Sequence, residues 1–246
     1  MPAMPKKAAA LIIGNELLSG KIQEQNLAFL GKELYRLGVR LTRAVVVLDD
    51  VDTIADELNL LRGQFDYVFT SGGVGPTHDD MTLQAIAKAF GRPLARAEAI
   101  ETLIRGYHGD KVTEAHLRMA DLPQGARLLS SDAMPWPTIT VDNVFVFPGV
   151  PEIFRLKFDA LRSHLSGGAP FYSRAVYTRC DEGTIAGLLS RLEQRFEGVS
   201  VGSYPTFRDT DYRTKVTFDG QHPETLTDIV RAFTAAIAPG LIVRIE

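Results

Sequence analysis

The sequence predicts an α/β protein: a mostly parallel three-layer sandwich, followed by a small α+β domain with split βαβ order. Three observations support this fold class. Residues 8–14 are a continuous apolar run, which is typical of a parallel strand buried on both faces. Strand-like and helix-like segments then alternate, which favours right-handed βαβ crossovers. Beyond a glycine- and proline-containing segment at 166–170, the order changes to strand, helix, strand, strand, helix, strand.

The alternating segments define a first domain, 1–166. Its first helix is predicted from leucines at helical spacing between 27 and 37, with Gly38 as the cap. In chain order we expect strands at 8–14, 39–48 and 66–71, helices at 22–37, 52–61 and 80–90, two helices within 92–129, a strand hairpin at 138–141 and 143–147, and a helix at 152–165.

The remaining residues, 170–246, are predicted to form a ferredoxin-like accessory domain. We expect strands at 173–178, 199–204, 212–218 and 241–245 and helices at 185–196 and 223–238.

Composition restricts the class of protein. The chain has 246 residues, of which 45% are hydrophobic and 23% charged, as in ordinary globular proteins. The net charge of -3 argues against a non-specific nucleic-acid binder, and every apolar run is far shorter than the ~20 residues that span a bilayer. The single cysteine, Cys180, cannot form an internal disulfide, which suits a reducing compartment. We therefore expect a cytoplasmic protein with no nucleic-acid or membrane partner.

Polar and glycine-rich residues follow four of the predicted strands. Ligands of open α/β sheets bind beyond the carboxyl ends of parallel strands, so these residues should converge in one cleft. They are Gly14, Asn15 and Glu16 after the first strand, Asp49 and Asp50 after the second, 71–80 after the third, and Pro148 and Gly149 after a later one.

The segment Ser71-Gly72-Gly73-Val74-Gly75-Pro76-Thr77 is the strongest of these signals. Glycines between a strand and a helix let backbone amides approach an anion, and the helix N-terminus adds a positive partial charge. The spacing matches neither the dinucleotide fingerprint nor a P-loop. A tight turn capped by Thr77 or Asp79 accounts for the same residues, so spacing alone leaves both interpretations open.

Carboxylates beside a phosphate require a cation, and Mg²⁺-type ions are held by one or two carboxylates together with ligand phosphates. Asp49 and Asp80 are the candidates. Asp50, Asp52 and Asp79 are better explained as helix-cap and first-turn residues, which the helix dipole stabilises. Glu16 either contributes to the cleft or is simply an acidic residue near the start of the first helix.

Four motifs occur together in 8–165: Gly14-x-Glu16-Leu17-Leu18-x-Gly20, Asp49 after an apolar strand, Gly72-Gly73-x-Gly75-Pro76-Thr77-x-x-Asp80-x-Thr82, and Pro148-Gly149-x-Pro151. Together they resemble the molybdopterin-binding-like family, which includes molybdopterin adenylyltransferases and the N-terminal domain of competence- and damage-inducible protein A. Residues 143–152 and Gly202-Ser203-Tyr204-Pro205 extend the similarity. These two segments resemble eukaryotic-type FAD synthases with their N-terminal molybdopterin-binding-like domain.

The resemblance implies a role for each matching residue. Asp49 and Asp80 would be the catalytic and metal-binding residues, with Mg²⁺, Mn²⁺ or Co²⁺. The other ligand-binding positions would be Gly14, Glu16, Ser71, Gly72, Gly73, Gly75, Thr77, Pro148 and Gly149. The activity that this implies is metal-dependent hydrolysis of a nucleotide pyrophosphate such as ADP-ribose or FAD. The alternative is a non-catalytic module that binds a nucleotide or molybdopterin.

Three other residues and the assembly state complete the expectations. His78 and Arg118 would reach the cleft or else be solvated, and Trp136 would stack on a base or pterin or else anchor its own loop. Because the resembling families generally assemble, we expect a homo-oligomer, with strands 199–204 and 212–218 as candidate contacts.

Overall fold

The computed structural model describes residues 5–131, 134–165, 167–208 and 211–246. They form two compact units, Met1–Gly168 and Ala169–Glu246. Ser166, which belongs to the predicted linker, lies outside the described residues.

A six-stranded sheet forms the centre of the first unit, in the order β2-β1-β3-β8-β7-β6. Strands β2, β1, β3 and β8 are parallel to one another, whereas β7 is antiparallel to both β8 and β6. The prediction of a mostly parallel sheet is confirmed. The strands are β1 (Lys7–Ile13), β2 (Arg40–Val47), β3 (Tyr67–Ser71), β6 (Arg127–Ser131), β7 (Met134–Val141) and β8 (Val144–Phe147), and a separate pair is formed by β4 (Leu94–Arg96) and β5 (Asp121–Pro123).

Helices cover both faces of this sheet, as the three-layer prediction requires. Alternate residues of β1 point to opposite faces, so Leu11 joins one core and Ile12 the other. Leu58 and Ile86 belong to the first core, and Phe154 to the second. The helices are α1 (Asn15–Leu18), α2 (Asn26–Arg36), α3 (Val51–Arg62), α4 (Thr82–Phe90), α5 (Glu98–His108), α6 (Glu114–Arg118) and α7 (Pro151–Leu161).

The start of α2 differs from the prediction for a local reason. The Glu24 carboxylate accepts hydrogen bonds from the backbone N–H groups of Asn26 (2.7 Å) and Leu27 (3.0 Å). These groups have no partner inside the helix, so their capture fixes the helix start at Asn26 rather than at residue 22. The short strands β4 and β5 and the four-residue helix α1 were not predicted.

The second unit has the predicted split βαβ order, in an antiparallel sheet arranged β10-β11-β9-β12. Because β11 pairs with strands on both sides, it is not an edge strand. Of the two candidate strands for an oligomer contact, 212–218 therefore pairs within its own sheet on both sides, whereas β10, which corresponds to 199–204, lies at an edge. The elements are β9 (Tyr172–Thr178), α8 (Glu182–Arg195), β10 (Ser200–Pro205), β11 (Thr214–Gly220), α9 (Pro223–Ala236) and β12 (Ile242–Ile245).

Across the described ranges, none of the helices combines the length and the apolar character needed to cross a membrane.

Candidate functional site

The residues after β1, β2, β3 and β8 meet at one edge of the large sheet. The Gly14 N–H donates to the Val47 carbonyl at 3.2 Å, which joins the ends of β1 and β2. The Gly72 N–H donates to the Phe147 carbonyl at 3.1 Å, which joins the ends of β3 and β8. The predicted convergence therefore follows from the parallel register of these four strands.

Gly72 shapes the glycine loop, and both its backbone conformation and the nearby Ile13 carbonyl exclude any other residue at this position. Its φ is 107°, and a Cβ there would lie 2.1 Å from the carbonyl oxygen of Ile13. Since its N–H already bonds to Phe147, it is not available for a phosphate. The predicted role of Gly72 as a phosphate donor is thus corrected: it lets the loop pass over the end of β1.

The next three residues leave their amides unused. The backbone N–H groups of Gly73, Val74 and Gly75 have no acceptor within the described part of the chain. All three residues line a cavity of about 90 Å³. Helix α4 begins beside this cavity, and its N-cap, Met81, supplies no side-chain hydrogen bond. Unpaired amides and an open helix N-terminus together favour an anion.

Asp80 is tied to the turn before it. Its Oδ2 accepts from the backbone N–H of Thr77 at 2.8 Å and from the Thr77 hydroxyl. A Cβ on Gly75 would lie 2.7 Å from the same oxygen, so the carboxylate packs directly against the loop. The tight turn of the alternative interpretation is present, since the Asp80 N–H also donates to the Thr77 carbonyl at 3.3 Å, but the N-cap of α4 is Met81 rather than Thr77 or Asp79.

Asp49 lies at the end of β2 and bonds to the start of α1. The Asn15 N–H donates to Asp49 Oδ2 at 2.7 Å, and the Asp49 N–H donates back to Asn15 Oδ1 at 3.3 Å. Burial raises the pKa of Asp49, and the negative charges of Glu16, Asp79 and Asp80 raise it further, against the opposing hydrogen bond from Asn15. This edge of the sheet therefore carries several carboxylates that repel one another.

The Glu16 side chain packs against Gly14, two residues earlier in the chain. The exposed Glu16 carboxylate folds back over Gly14, where a Cβ would lie 2.5 Å from Oε1. Asp50, as predicted, caps α3: its Oδ1 accepts from the Thr53 N–H at 2.8 Å. Asp52 forms an ion pair with Lys88 instead of facing the cleft.

Asn26 is the site residue that the sequence analysis missed. Its Nδ2 donates to Ser71 Oγ and to the Gly149 carbonyl, each at 2.9 Å. The residue is 4% exposed, and its Oδ1 has no partner among the described residues. A polar residue on the inward face of α2, four positions before Leu30, was the signal that could have identified it.

Arg118 reaches the loop and His78 lies at its surface. The Arg118 guanidinium donates to the Pro76 carbonyl at 3.2 Å and lines the same cavity as the unpaired amides. His78 is exposed on that cavity's wall. Among the residues that the structure describes, no group of three or more His, Cys, Asp or Glu side chains could hold a metal by itself.

The fold and this edge define an α/β protein with a candidate phosphate site beyond the carboxyl ends of its parallel strands. The chain belongs to the probable molybdopterin binding domain family, whose model matches residues 9–165. Residues 170–246 match the middle domain of FAD synthase. Both matches confirm the family resemblance drawn from the motifs.

Individual relatives carry the names of the same two groups, FAD synthase and CinA. A probable FAD synthase from Caenorhabditis elegans is 31% identical over 98% of this chain and 52% of its own length. A CinA-like protein from Frankia casuarinae is 38% identical over 59% of the chain and 36% of its own length. The crystal structure of the protein CinA from Thermoplasma acidophilum has a TM-score of 0.60 and 32% identity, and the match covers 65% of this chain and 98% of that one. The chain spans about half the length of the FAD synthase relatives.

Proposed function

We propose that this protein binds a nucleotide pyrophosphate of the FAD or ADP-ribose class and hydrolyses it with a divalent cation. The observation that carries the proposal is the set of unpaired amides of Gly73, Val74 and Gly75. Fixed N–H groups beside a small cavity match the oxygens of a phosphate, and they need no reorganisation when negative charge develops there.

The carboxylates fit a cation that binds together with the ligand. Asp49 and Asp80 offer hard oxygen donors, which suit Mg²⁺ or Mn²⁺, but each already accepts a hydrogen bond at Oδ2. One or two carboxylates complete such a site only when phosphate oxygens supply further ligands. When bound, the cation would neutralise phosphate charge and activate a water for attack.

The protein's own groups would then have separate roles in the reaction. The loop amides and Arg118 would hold the pyrophosphate and stabilise the negative charge that develops on the phosphoryl oxygens. Asp49, at the end of β2, would accept a proton from the attacking water. The water oxygen bonds to one phosphorus, the bridging P–O bond breaks, and FAD yields FMN and AMP.

A second candidate function is a non-catalytic binding module for a nucleotide or molybdopterin. It is favoured by the hydrogen bonds that hold Asp80 to Thr77, since a carboxylate engaged in the loop's structure is less available for chemistry. The relatives named FAD synthase add a third outcome, synthesis, although this chain spans about half of their length.

One assay separates these functions. The purified chain is incubated with Mg²⁺, Mn²⁺ or Co²⁺ and FAD, ADP-ribose or NAD, and AMP release is measured; a parallel reaction holds FMN and ATP. We expect AMP release from FAD or ADP-ribose. Asp80→Asn should reduce kcat/KM at least about 100-fold, while Asp52→Asn, outside the cleft, should not change it. Binding without turnover would favour the module, and FAD formation would favour synthesis. If the chain shows no binding and no turnover of these ligands, the proposal is refuted.

A further inference from the structure

A second, larger cavity adjoins the glycine loop. It measures about 330 Å³ and lies between α5, α7 and the β7–β8 hairpin. Its wall is largely apolar, with Ile100, Ile139 and Ile153 among the lining residues. A pocket of this size, near the lower end of the roughly 300–1,000 Å³ typical for ligands, suits one ring system and not a whole dinucleotide.

The two cavities share part of their walls. Val74, Leu83 and Met119 line both the large cavity and the small one beside the unpaired amides. Pro148 also lines the large cavity, so the turn after β8 borders it directly. A ligand whose phosphate lies at the loop could therefore place an attached ring in the large cavity.

Lys157 supplies a charged donor in this apolar wall. Its Nζ donates to the Pro137 carbonyl at 2.6 Å and to the Trp136 carbonyl at 3.2 Å. An ammonium group has three N–H donors, and no carboxylate of the described residues pairs with Lys157. Burial lowers the pKa of Lys157 to about 8. The remaining N–H would be best satisfied by an acceptor on a ligand.

Two aromatic side chains border the same cavity. The Trp136 and Tyr107 rings meet edge to face, 6.1 Å between centroids at 75°. Tyr107 is 75% exposed, which is unusual for a large aromatic side chain and leaves its ring free to cover a bound ligand. The cavity thus combines aromatic surfaces, aliphatic walls and one cationic donor.

We propose that the large cavity binds an isoalloxazine ring, with Lys157 donating to a carbonyl oxygen of its pyrimidine edge and Trp136 packing on the ring. This inference rests on the proposed function, because it assigns the ring of the same ligand. The methylated benzene end of isoalloxazine suits the aliphatic wall, whereas a pterin has polar atoms around most of its edge and would leave several unpaired there.

The test uses riboflavin, which has the ring but no phosphate, and AMP, which has phosphate but no flavin. Trp136 is the single tryptophan of the chain, so quenching of its emission reports directly on this cavity. We expect riboflavin to quench Trp136. Lys157→Met and Lys157→Gln should weaken riboflavin binding at least about tenfold and about threefold respectively, because glutamine still donates hydrogen bonds. Lys88→Met, which replaces an exposed lysine paired with Asp52, is the control.

AMP affinity distinguishes failure of this inference from failure of the proposed function. AMP binding, measured by calorimetry, should change less than about twofold in the Lys157 variants, because their contacts lie in the other cavity. If wild-type protein binds AMP but not riboflavin, or binds a pterin in preference, the flavin assignment is wrong while the phosphate site stands. Equal weakening of AMP and riboflavin, or unchanged riboflavin affinity in both variants, would also overturn it. If neither AMP nor riboflavin binds, both proposals fail.

Discussion

Asn26 donates a 2.9 Å hydrogen bond to Ser71 across 45 positions of the sequence. The same Nδ2 also bonds to the carbonyl of Gly149, so one side chain at the start of α2 connects the end of β3 to the turn after β8. This connection fixes the two strand ends that flank the glycine loop.

Asn26→Ala should destabilise the protein by about 1–3 kcal/mol, because the buried Ser71 hydroxyl and the Gly149 carbonyl lose their shared donor. It should also weaken AMP binding, since the loop's anchor is lost. Urea unfolding and calorimetry would measure both effects. Asn59→Ala, at an exposed position on α3, should stay within about 0.5 kcal/mol of wild type. Equal effects of the two substitutions would refute the bridging role.

Gly72→Ala should be far more disruptive than Gly91→Ala. Both glycines have positive φ, 107° and 60°, so both substitutions strain the backbone by about 1–2 kcal/mol. Only at Gly72 does the added Cβ meet backbone, the Ile13 carbonyl at 2.1 Å, whereas nothing lies within 4 Å at Gly91. Chemical denaturation should show a loss of about 1–2 kcal/mol for Gly91→Ala and a clearly larger loss for Gly72→Ala. Similar losses would contradict the close approach of the loop to the end of β1.

Asp49→Asn should raise the stability of the ligand-free protein at neutral pH while it abolishes metal-dependent hydrolysis. The pKa of Asp49 is raised in the folded state, so folding favours its protonated form, and wild-type stability falls as pH rises above the unfolded-state pKa. Asparagine removes that charge and can still accept the Asn15 hydrogen bond. Thermal unfolding at about pH 4 and pH 7 would test this: the gain in Tm should be larger at pH 7. A gain that is larger at the acidic pH would show that the sign is wrong.

Lys157→Met should change how stability depends on alkaline pH. The pKa of Lys157 is about 8 in the folded protein, against 10.5 for the free side chain. Between these values the folded state has released a proton that the unfolded state retains, so wild-type stability increases with pH across that window. The Met variant lacks this increase. The Tm of the variant minus the Tm of wild type should therefore decrease as the pH is raised from 8 to 10.5. A constant difference would refute the burial of this amine.

Residues 1–168 should fold without the second unit, because the two units have separate hydrophobic cores. The shortened chain should unfold cooperatively and bind AMP within about threefold of the full chain, since all the named phosphate-site residues precede Gly168. Circular dichroism and calorimetry would establish both. A folded fragment that does not bind AMP would place part of the site beyond residue 168.

The sequence predicted the fold and the meeting of the strand ends because both depend on regular patterns. Apolar runs identified β1, β2 and β3, and the polar or glycine-rich residues after them marked the edge that carries Asp49 and the glycine loop. Which atoms remain free was not predictable in this way. The Gly72 amide is used by Phe147, a partner far along the sequence, and the Asp80 carboxylate by Thr77. Asn26 was missed because its partners come from two other segments of the chain.

Thr82 holds the glycine loop at two points: its hydroxyl donates to the Gly72 carbonyl at 2.8 Å and its N–H to the Gly73 carbonyl at 2.9 Å. The loop's carbonyls are therefore already turned towards α4 before any ligand arrives. A ligand that binds there orders little additional chain, so association requires no folding step and loses little conformational entropy. Differences in affinity among related phosphates should consequently appear mainly in how slowly they leave.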